Sequence, residues 1–318
     1  MITNLFIAAF GGPTEGCCKH FDPCPGEAYC FVSGVFGHNP ARKQRIDEVV
    51  EHYKALGGFS KFNEITEAQA DALGKELAAR GKSLNITVGY DHWMPYIADK
   101  VGEMAANDKG DFLALIMSPH QSSVSWDGYL RRISEGLEKL PEGDRPKWAG
   151  VVEPYWNKPG LIEALAEHTQ KAADSIGADL KDASTRLLLS AHSVPESIAK
   201  TSDYVMQVEE TAKLTAEKLG AADWKVVYQS GPTDSRIPWT GPFLEDAVEE
   251  AHKDGATAVV ATPIGFLCDN VEVLYDMGIE GKEKAEEVGV KFAAAEAVNT
   301  HPAFIAALAD QVVAAITK

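Results

Sequence analysis

Arg186-Leu187-Leu188-Leu189-Ser190-Ala191-His192-Ser193-Val194-Pro195 carries an apolar run straight into a histidine and stops at a proline. The run does not alternate between apolar and polar residues, so it reads as a strand buried on both faces, the kind found in parallel sheets. The same pattern recurs along the 318 residues, with expected strands at 2–10, 85–91, 112–118 and 147–152, then 186–192, 224–229, 257–262 and 290–294. Segments of helical periodicity lie between them at 42–56, 68–79, 161–176, 204–219 and 243–251, and 302–317 reads as a last helix. Strands alternating with helices imply βαβ units, parallel sheets and an α/β fold. Four strands, a gap and four more imply two similar, doubly wound halves. Residues 1–152 form the expected first domain, with 301–318 packing back on it, and 153–300 the second. Leu115-Ile116-Met117-Ser118-Pro119-His120 echoes the opening run, since both end in Ser-x-His.

Apolar residues make up 45% of the chain and charged residues 24%, which excludes a disordered or fibrous protein. No window approaches the ~18 consecutive apolar residues of a membrane span. The first run, Ile2 to Phe10, lacks the basic start and small-residue cleavage site of a secretory signal, so a cytoplasmic protein is expected. Thirty basic against 47 acidic residues give a net charge of −17. That surface repels phosphate backbones and sets nucleic-acid binding aside.

In open α/β sheets ligands gather outside the carboxyl ends of the strands. This picks out Gly11-Gly12-Pro13, His120, Glu153, His192-Ser193, Gln229-Ser230 and the stretch from Gly265 to Glu272. An imidazole at His192 suits proton abstraction near neutrality or metal ligation, the alternative being a buried ring that merely ends a strand. Asp269, Glu272 and Asp276, spaced i, i+3, i+7, make one acidic stripe on an α-helix and could share protons or pass a divalent cation inward. Glu272 reads as functional, and Asp269 as an acid complementing a helix N-terminus. Trp239, in a Gly- and Pro-rich loop, offers a flat face to a planar ligand or an anchor for that loop. Cys17, Cys18, Cys24 and Cys30 crowd into fourteen residues as C-C-x5-C-x5-C, which matches no standard zinc spacing. An iron–sulfur cluster or zinc site is one reading, and small cysteines packed in a loop the other.

Taken in order, these segments resemble the ferrochelatases. The blocks are Phe10-Gly11-Gly12-Pro13, His52-Tyr53 with Gly57-Gly58-Phe59-Ser60, Pro119-His120, and Ser190-Ala191-His192-Ser193-Val194-Pro195. They continue with Gln229-Ser230, Pro238-Trp239-Thr240-Gly241-Pro242, and Pro263-Ile264-Gly265-Phe266 leading to Asp269-Asn270-Val271-Glu272 and Leu274-Tyr275. The resemblance implies two Rossmann-like, chelatase-like domains, each with a four-stranded parallel sheet flanked by helices, and a porphyrin cleft between them. It implies a lyase of haem biosynthesis that inserts Fe²⁺, its substrate, into protoporphyrin IX or coproporphyrin III. By that resemblance His192 accepts pyrrole protons or ligates the incoming iron, with Glu272 its catalytic partner and Asp276 joining them in handling metal. Thr14, His120, Ser193, Trp239 and Tyr275 are the implied substrate contacts, and Arg42, Arg45 and Arg236 are candidates for propionates. A monomer or homodimer that holds porphyrin and releases haem is expected.

Three departures stand out. Asn270 occupies a position where the family often has histidine, and Thr14 one where many coproporphyrin-using members have tyrosine. The chain ends Ala315-Ile316-Thr317-Lys318, without the C-terminal cysteines that generally hold the family's iron–sulfur clusters. Two alternatives stay open: a haem-binding protein without chelation, suggested by Asn270, and a cobalt or nickel chelatase acting on another tetrapyrrole.

Overall fold

Parallel pairing governs every strand of the computed structural model, which describes residues 2–16, 20–232 and 235–317. The chain divides into two compact units. One runs to Ser118, resumes over Ser123–Pro154, and takes up the chain again from Leu308; the other holds Pro119–Ser122 and Tyr155–Ala307.

In the first unit the order is β1 (Ile2–Ala9), α1 (Glu27–Val35), α2 (Lys43–Ala55), α3 (Phe62–Ala79), β2 (Asn85–Tyr90), α4 (Ile97–Asn107), β3 (Asp111–Ile116), α5 (Trp126–Glu138) and β4 (Trp148–Val151). Its sheet order is β2-β1-β3-β4. The central strands β1 and β3 are buried almost throughout, while the edge strand β4 is only half covered. That gradient explains the continuous apolar runs, because helices cover both faces of a parallel sheet. Ile97, Val101 and Met104 of α4, with Trp126, Tyr129 and Ile133 of α5, close one face over Phe6, Phe112 and Ile116.

The second unit runs α6 (Pro159–Ser175), β5 (Thr185–His192), α7 (Glu196–Ala199), α8 (Tyr204–Leu219), β6 (Trp224–Gln229), α9 (Leu244–Lys253), β7 (Ala258–Pro263), a π-helix (Glu272–Gly281), α10 (Lys282–Val288) and β8 (Lys291–Ala294), then the start of α11 (Pro302–Thr317), which is counted with the first unit from Leu308. Its sheet order, β6-β5-β7-β8, repeats the winding of the first. Leu188, Val227, Val259 and Ala261 meet Leu244, Val248, Met277 and Ala285 on one face. Helix α8 buries Tyr204, Gln207, Val208, Thr211, Ala212, Thr215 and Ala216, the i, i+3, i+4, i+7 pattern of a core-facing stripe. Its buried threonines donate to carbonyls one turn back, which satisfies their hydroxyls inside the core.

The repeated winding corrects the Ser-x-His echo. His192 ends β5, which stands in its sheet where β1 stands in the other, whereas His120 follows β3, the counterpart of β7. The two motifs therefore sit on non-equivalent strands, and the repeat is one of topology. In each sheet the connections leave the first strand to opposite sides, so a crevice opens at the carboxyl ends of its first and third strands. In the second unit those ends are His192 and the turn after Pro263. Gly265 lets them close up, because a Cβ there would lie 2.9 Å from Cα and Cβ of Ala191. Among the described residues no helix is long and apolar enough to cross a membrane.

Candidate active site

His192 is half-buried at the end of β5, and its Nδ1 lies 2.6 Å from its neighbour's carbonyl, Ser193 O. A carbonyl only accepts, so Nδ1 carries a proton, and the neutral ring then has its lone pair on Nε2, the form that can take a proton or bind a metal. Two further contacts fix the residue. The Tyr204 hydroxyl donates to the His192 carbonyl at 2.8 Å, and the Phe266 ring stands 6.4 Å away, centre to centre. Burial raises the Tyr204 phenol far above its ordinary value, so it remains a donor.

Ser193 is fully buried and gives its hydroxyl to Thr240 O at 2.7 Å, while its N–H goes to Gln229 O at 2.8 Å. The structure thus uses it to tie the end of β5 to the loop beyond β6. Trp239 lies on that loop, half-buried, paired with Pro195 through an antiparallel bridge and donating Nε1–H to Ser235 Oγ at 3.0 Å.

The acidic segment departs from a single stripe. Asp269 precedes the helix and accepts from Ala297 N at 2.8 Å and Asn299 Nδ2 at 2.7 Å, so it fastens the turn rather than complementing a helix N-terminus. Asn270 does the capping, since its side-chain oxygen accepts from Val273 N at 3.0 Å. From Glu272 the chain winds as a π-helix, whose i→i+5 bonding leaves Glu272 and Asp276 about one turn apart without Asp269. Glu272 is half-buried, and its carbonyl accepts from Gln229 Nε2 at 2.5 Å.

Asp276 is 5% exposed and accepts a hydrogen bond from Ser230. Burial pushes its carboxyl well above the usual range, Ser230 opposes that, and Glu272, Glu280 and Glu245 add to it. The structure does not gather His192, Glu272 and Asp276 into one metal cage: among the described residues no three His, Cys, Asp or Glu side chains are placed to hold an ion. Tyr275 is half-buried, and burial followed by Glu280, Glu283 and Asp276 raises its phenol, so it stays neutral.

His120 is 1% exposed and lies 3.0 Å from Thr211 Oγ1. The Thr211 proton goes to the carbonyls of Trp156 and Gln207, so His120 Nε2–H is the donor. Burial lowers its pKa to about 3. Its ring meets Tyr204 edge-on at 5.9 Å, so it backs the phenol that holds His192.

In the first unit Thr14 accepts from Trp93 Nε1 at 2.9 Å, and Gly12 N donates to Asn63 Oδ1 at the same distance. The end of β2 adds a group that sequence reasoning passes over. Asp91 accepts from Arg132 Nε at 2.8 Å and faces His92 Nε2 at 3.4 Å, and the His92 ring lies 4.6 Å from Phe10. The signal was available, because Asp91-His92 follows a strand just as Ser193 does. Arg42 and Arg236 are exposed, and Arg45 reaches Glu48 at 3.4 Å.

Of the four clustered cysteines, Cys17 and Cys18 lie outside the described residues. Cys24 is exposed and Cys30 buried, with their sulfurs 3.7 Å apart. A tetrahedral zinc with Zn–S of about 2.3 Å sets its thiolates about 3.8 Å apart, so the pair has a suitable span but supplies only two ligands.

Comparison with known proteins agrees with the resemblance read from the motifs. The family model described as Ferrochelatase matches residues 38–316. A ferrochelatase of Rhodopirellula baltica is 36% identical over 308 residues, covering 95% of this chain and 83% of that one. A coproporphyrin III ferrochelatase of Streptomyces coelicolor is 32% identical over 97% of this chain and 84% of its own. Among solved structures, SirB from Bacillus subtilis with Fe³⁺ superposes with a TM-score of 0.58 at 12% identity, covering 99% of this chain and 96% of that one, which speaks to the fold alone. With a family match over most of its length and relatives above 30% identity, this chain belongs to the ferrochelatase family.

Proposed function

We propose that His192 and Glu272 carry the insertion of Fe²⁺ into a porphyrin at the carboxyl ends of β5 and β7. The reaction exchanges two pyrrole N–H protons for one cation, so it needs a proton acceptor beside the ring and a ligand that releases the metal easily. The observation that carries the reading is the His192 tautomer. With Nδ1–H held by Ser193 O, the neutral tautomer of this ring carries its lone pair on Nε2, where it can act as base or ligand. Glu272 supplies a carboxylate at the start of a π-helix, where it can take the second proton or steady the shedding of water from iron. The planar face of Trp239 and the neutral phenol of Tyr275 are the assigned contacts with the macrocycle, and Asp276 serves behind Glu272. Ser193 and His120 support the arrangement from within.

Coproporphyrin III and protoporphyrin IX both fit this chemistry; relatives named for coproporphyrin III make it the first to test. Anaerobic Fe²⁺ insertion assayed with both, by optical absorption, should show turnover that His192→Ala abolishes. Haem binding without turnover would defeat the reading and favour a carrier. The Asn270 position does not itself argue for a carrier, because its amide is spent on the helix cap.

We further assign Cys24 and Cys30, with Cys17 and Cys18, to an iron–sulfur or zinc site, supported by the 3.7 Å sulfur spacing. Protein purified anaerobically should contain iron with sulfide, or zinc. Metal analysis that finds neither under reducing conditions defeats that assignment.

A further inference from the structure

The geometry points to Gln229 as a positioning residue that sets Glu272 against His192. This rests on the proposed roles of those two residues and adds a third that acts only through them. Gln229 ends β6 directly beside His192, its register partner across the parallel pair, so the two side chains leave the same face of the sheet. It is 1% exposed.

Both ends of its amide are committed. Glu272 O can only accept, so the group at 2.5 Å from it is the NH₂ end. That fixes the other end as oxygen, which accepts from Ser190 Oγ at 2.6 Å. Ser190 stands two residues before His192 on the same strand face, and its carbonyl takes the N–H of Gly265 at 3.1 Å. The backbone of Gln229 completes the set, since its carbonyl accepts from Ser193 N at 2.8 Å.

One side chain therefore spans from the strand that ends in His192 to the first residue of the π-helix. The strut holds Glu272 by its backbone carbonyl and leaves the carboxylate out of the bond. Buried amides bonded at both ends keep one orientation, because rotating this one would set oxygen against the Glu272 carbonyl. Its length matters equally. Asparagine is one methylene too short to reach both partners, and glutamate has no donor for the carbonyl.

The test is a double-mutant cycle in anaerobic Fe²⁺ insertion, with Gln229→Met, Glu272→Gln and both together. Methionine keeps the volume and removes both bonds. Gln229→Met should lower kcat about 10- to 100-fold, the scale of a misplaced catalytic group, and leave the porphyrin KM within about twofold. In the Glu272→Gln background the same substitution should change kcat by less than about twofold, because its effect passes through the carboxylate it positions. A general loss of structure would instead cost the same factor in both backgrounds, and that result, or a wild-type kcat in Gln229→Met, overturns the proposal. A wild-type kcat in Glu272→Gln would remove the catalytic reading of Glu272 and the strut with it. Ser190→Ala breaks only one of the two bonds and provides the cycle if the methionine variant does not fold. It should give a smaller loss in kcat that again vanishes without Glu272, and equal losses in both backgrounds count against the strut.

Discussion

Replacing Asp269 with alanine separates a carboxylate that ties the chain together from Glu272, the one proposed to take part in the chemistry. Asp269 accepts from Ala297 N at 2.8 Å and from Asn299 Nδ2 at 2.7 Å, while Asn299 Oδ1 accepts from Asp269 N at 3.0 Å. This loop of bonds fastens the entrance of the π-helix to the segment after β8. Hydrogen bonds to a charged acceptor contribute ~1.5–3 kcal/mol each, and for two bonds at a half-buried carboxylate the lower end gives about 3 kcal/mol. For a unit of this size each kcal/mol shifts Tm by about 2–4 °C, so Asp269→Ala should lower Tm by about 6–12 °C. Asp269→Asn keeps one acceptor and should cost about half as much. Calorimetry gives the first number; kcat measured well below Tm gives the second, which should fall less than about threefold because no reacting group is removed. Glu272→Gln should do the reverse, with a Tm close to wild type and a kcat lower by at least about 100-fold. A Tm shift under about 1 °C in Asp269→Ala, or a kcat loss matching that of Glu272→Gln, would refute the division of roles.

His120 makes stability sensitive to acid. Its native pKa of about 3 lies below the ordinary 6.5, so between those values the unfolded chain binds a proton that the folded one refuses. Its contribution is present above pH 6.5 and is lost as pH falls toward 3; between pH 6.5 and 5 the loss is about 2 kcal/mol. His120→Gln, which keeps a donor for Thr211, should remove that part of the slope, and urea unfolding at pH 7 and pH 5 reads the difference; an unchanged slope counts against it. Asn270→Ala should cost about 1 kcal/mol through the lost cap, and Asn270→Asp, which keeps an acceptor, much less. Equal stability of the two variants in chemical unfolding would contradict the capping role.

The eight strands are legible because strands buried on both faces leave unbroken apolar runs, and the observed ends differ from the expected ones by only one or two residues. Helix α5 is harder to read, since Gly128 and Gly136 lower its apparent propensity. The structure explains the second glycine: a Cβ there would come within 3.0 Å of Ala98 Cα and Val101 Cβ, so it lets α4 and α5 approach. The π-helix is not legible at all. Its winding goes with contacts from distant residues, Gln229 on the Glu272 carbonyl and Ser230 on Asp276, which no local pattern announces. The carboxyl-end rule finds His192 and Gln229, yet gives no hint that the latter reaches the π-helix. It applies equally to Asp91 and His92, whose link to Arg132 comes from α5, some forty residues away in sequence.

A common logic connects the side chains assigned to chemistry. His192 is held through Nδ1 and its carbonyl, which leaves Nε2 outside both bonds. Glu272 is held through its carbonyl, which leaves the carboxylate outside that bond. Asp269 and Ser193 show the opposite pattern, because their side chains themselves form the ties. A reacting group must be fixed to within a fraction of an ångström and still have its reactive atom unspent. Anchoring through backbone carbonyls or the second ring nitrogen meets both demands at once. By this criterion Asp276, buried and accepting from Ser230, belongs with the ties, and burial raises its carboxyl well above the usual range. Ser230→Ala therefore probes it: freeing that oxygen should change the pH profile of kcat and leave the porphyrin KM unchanged. An unaltered profile would confine Asp276 to structure.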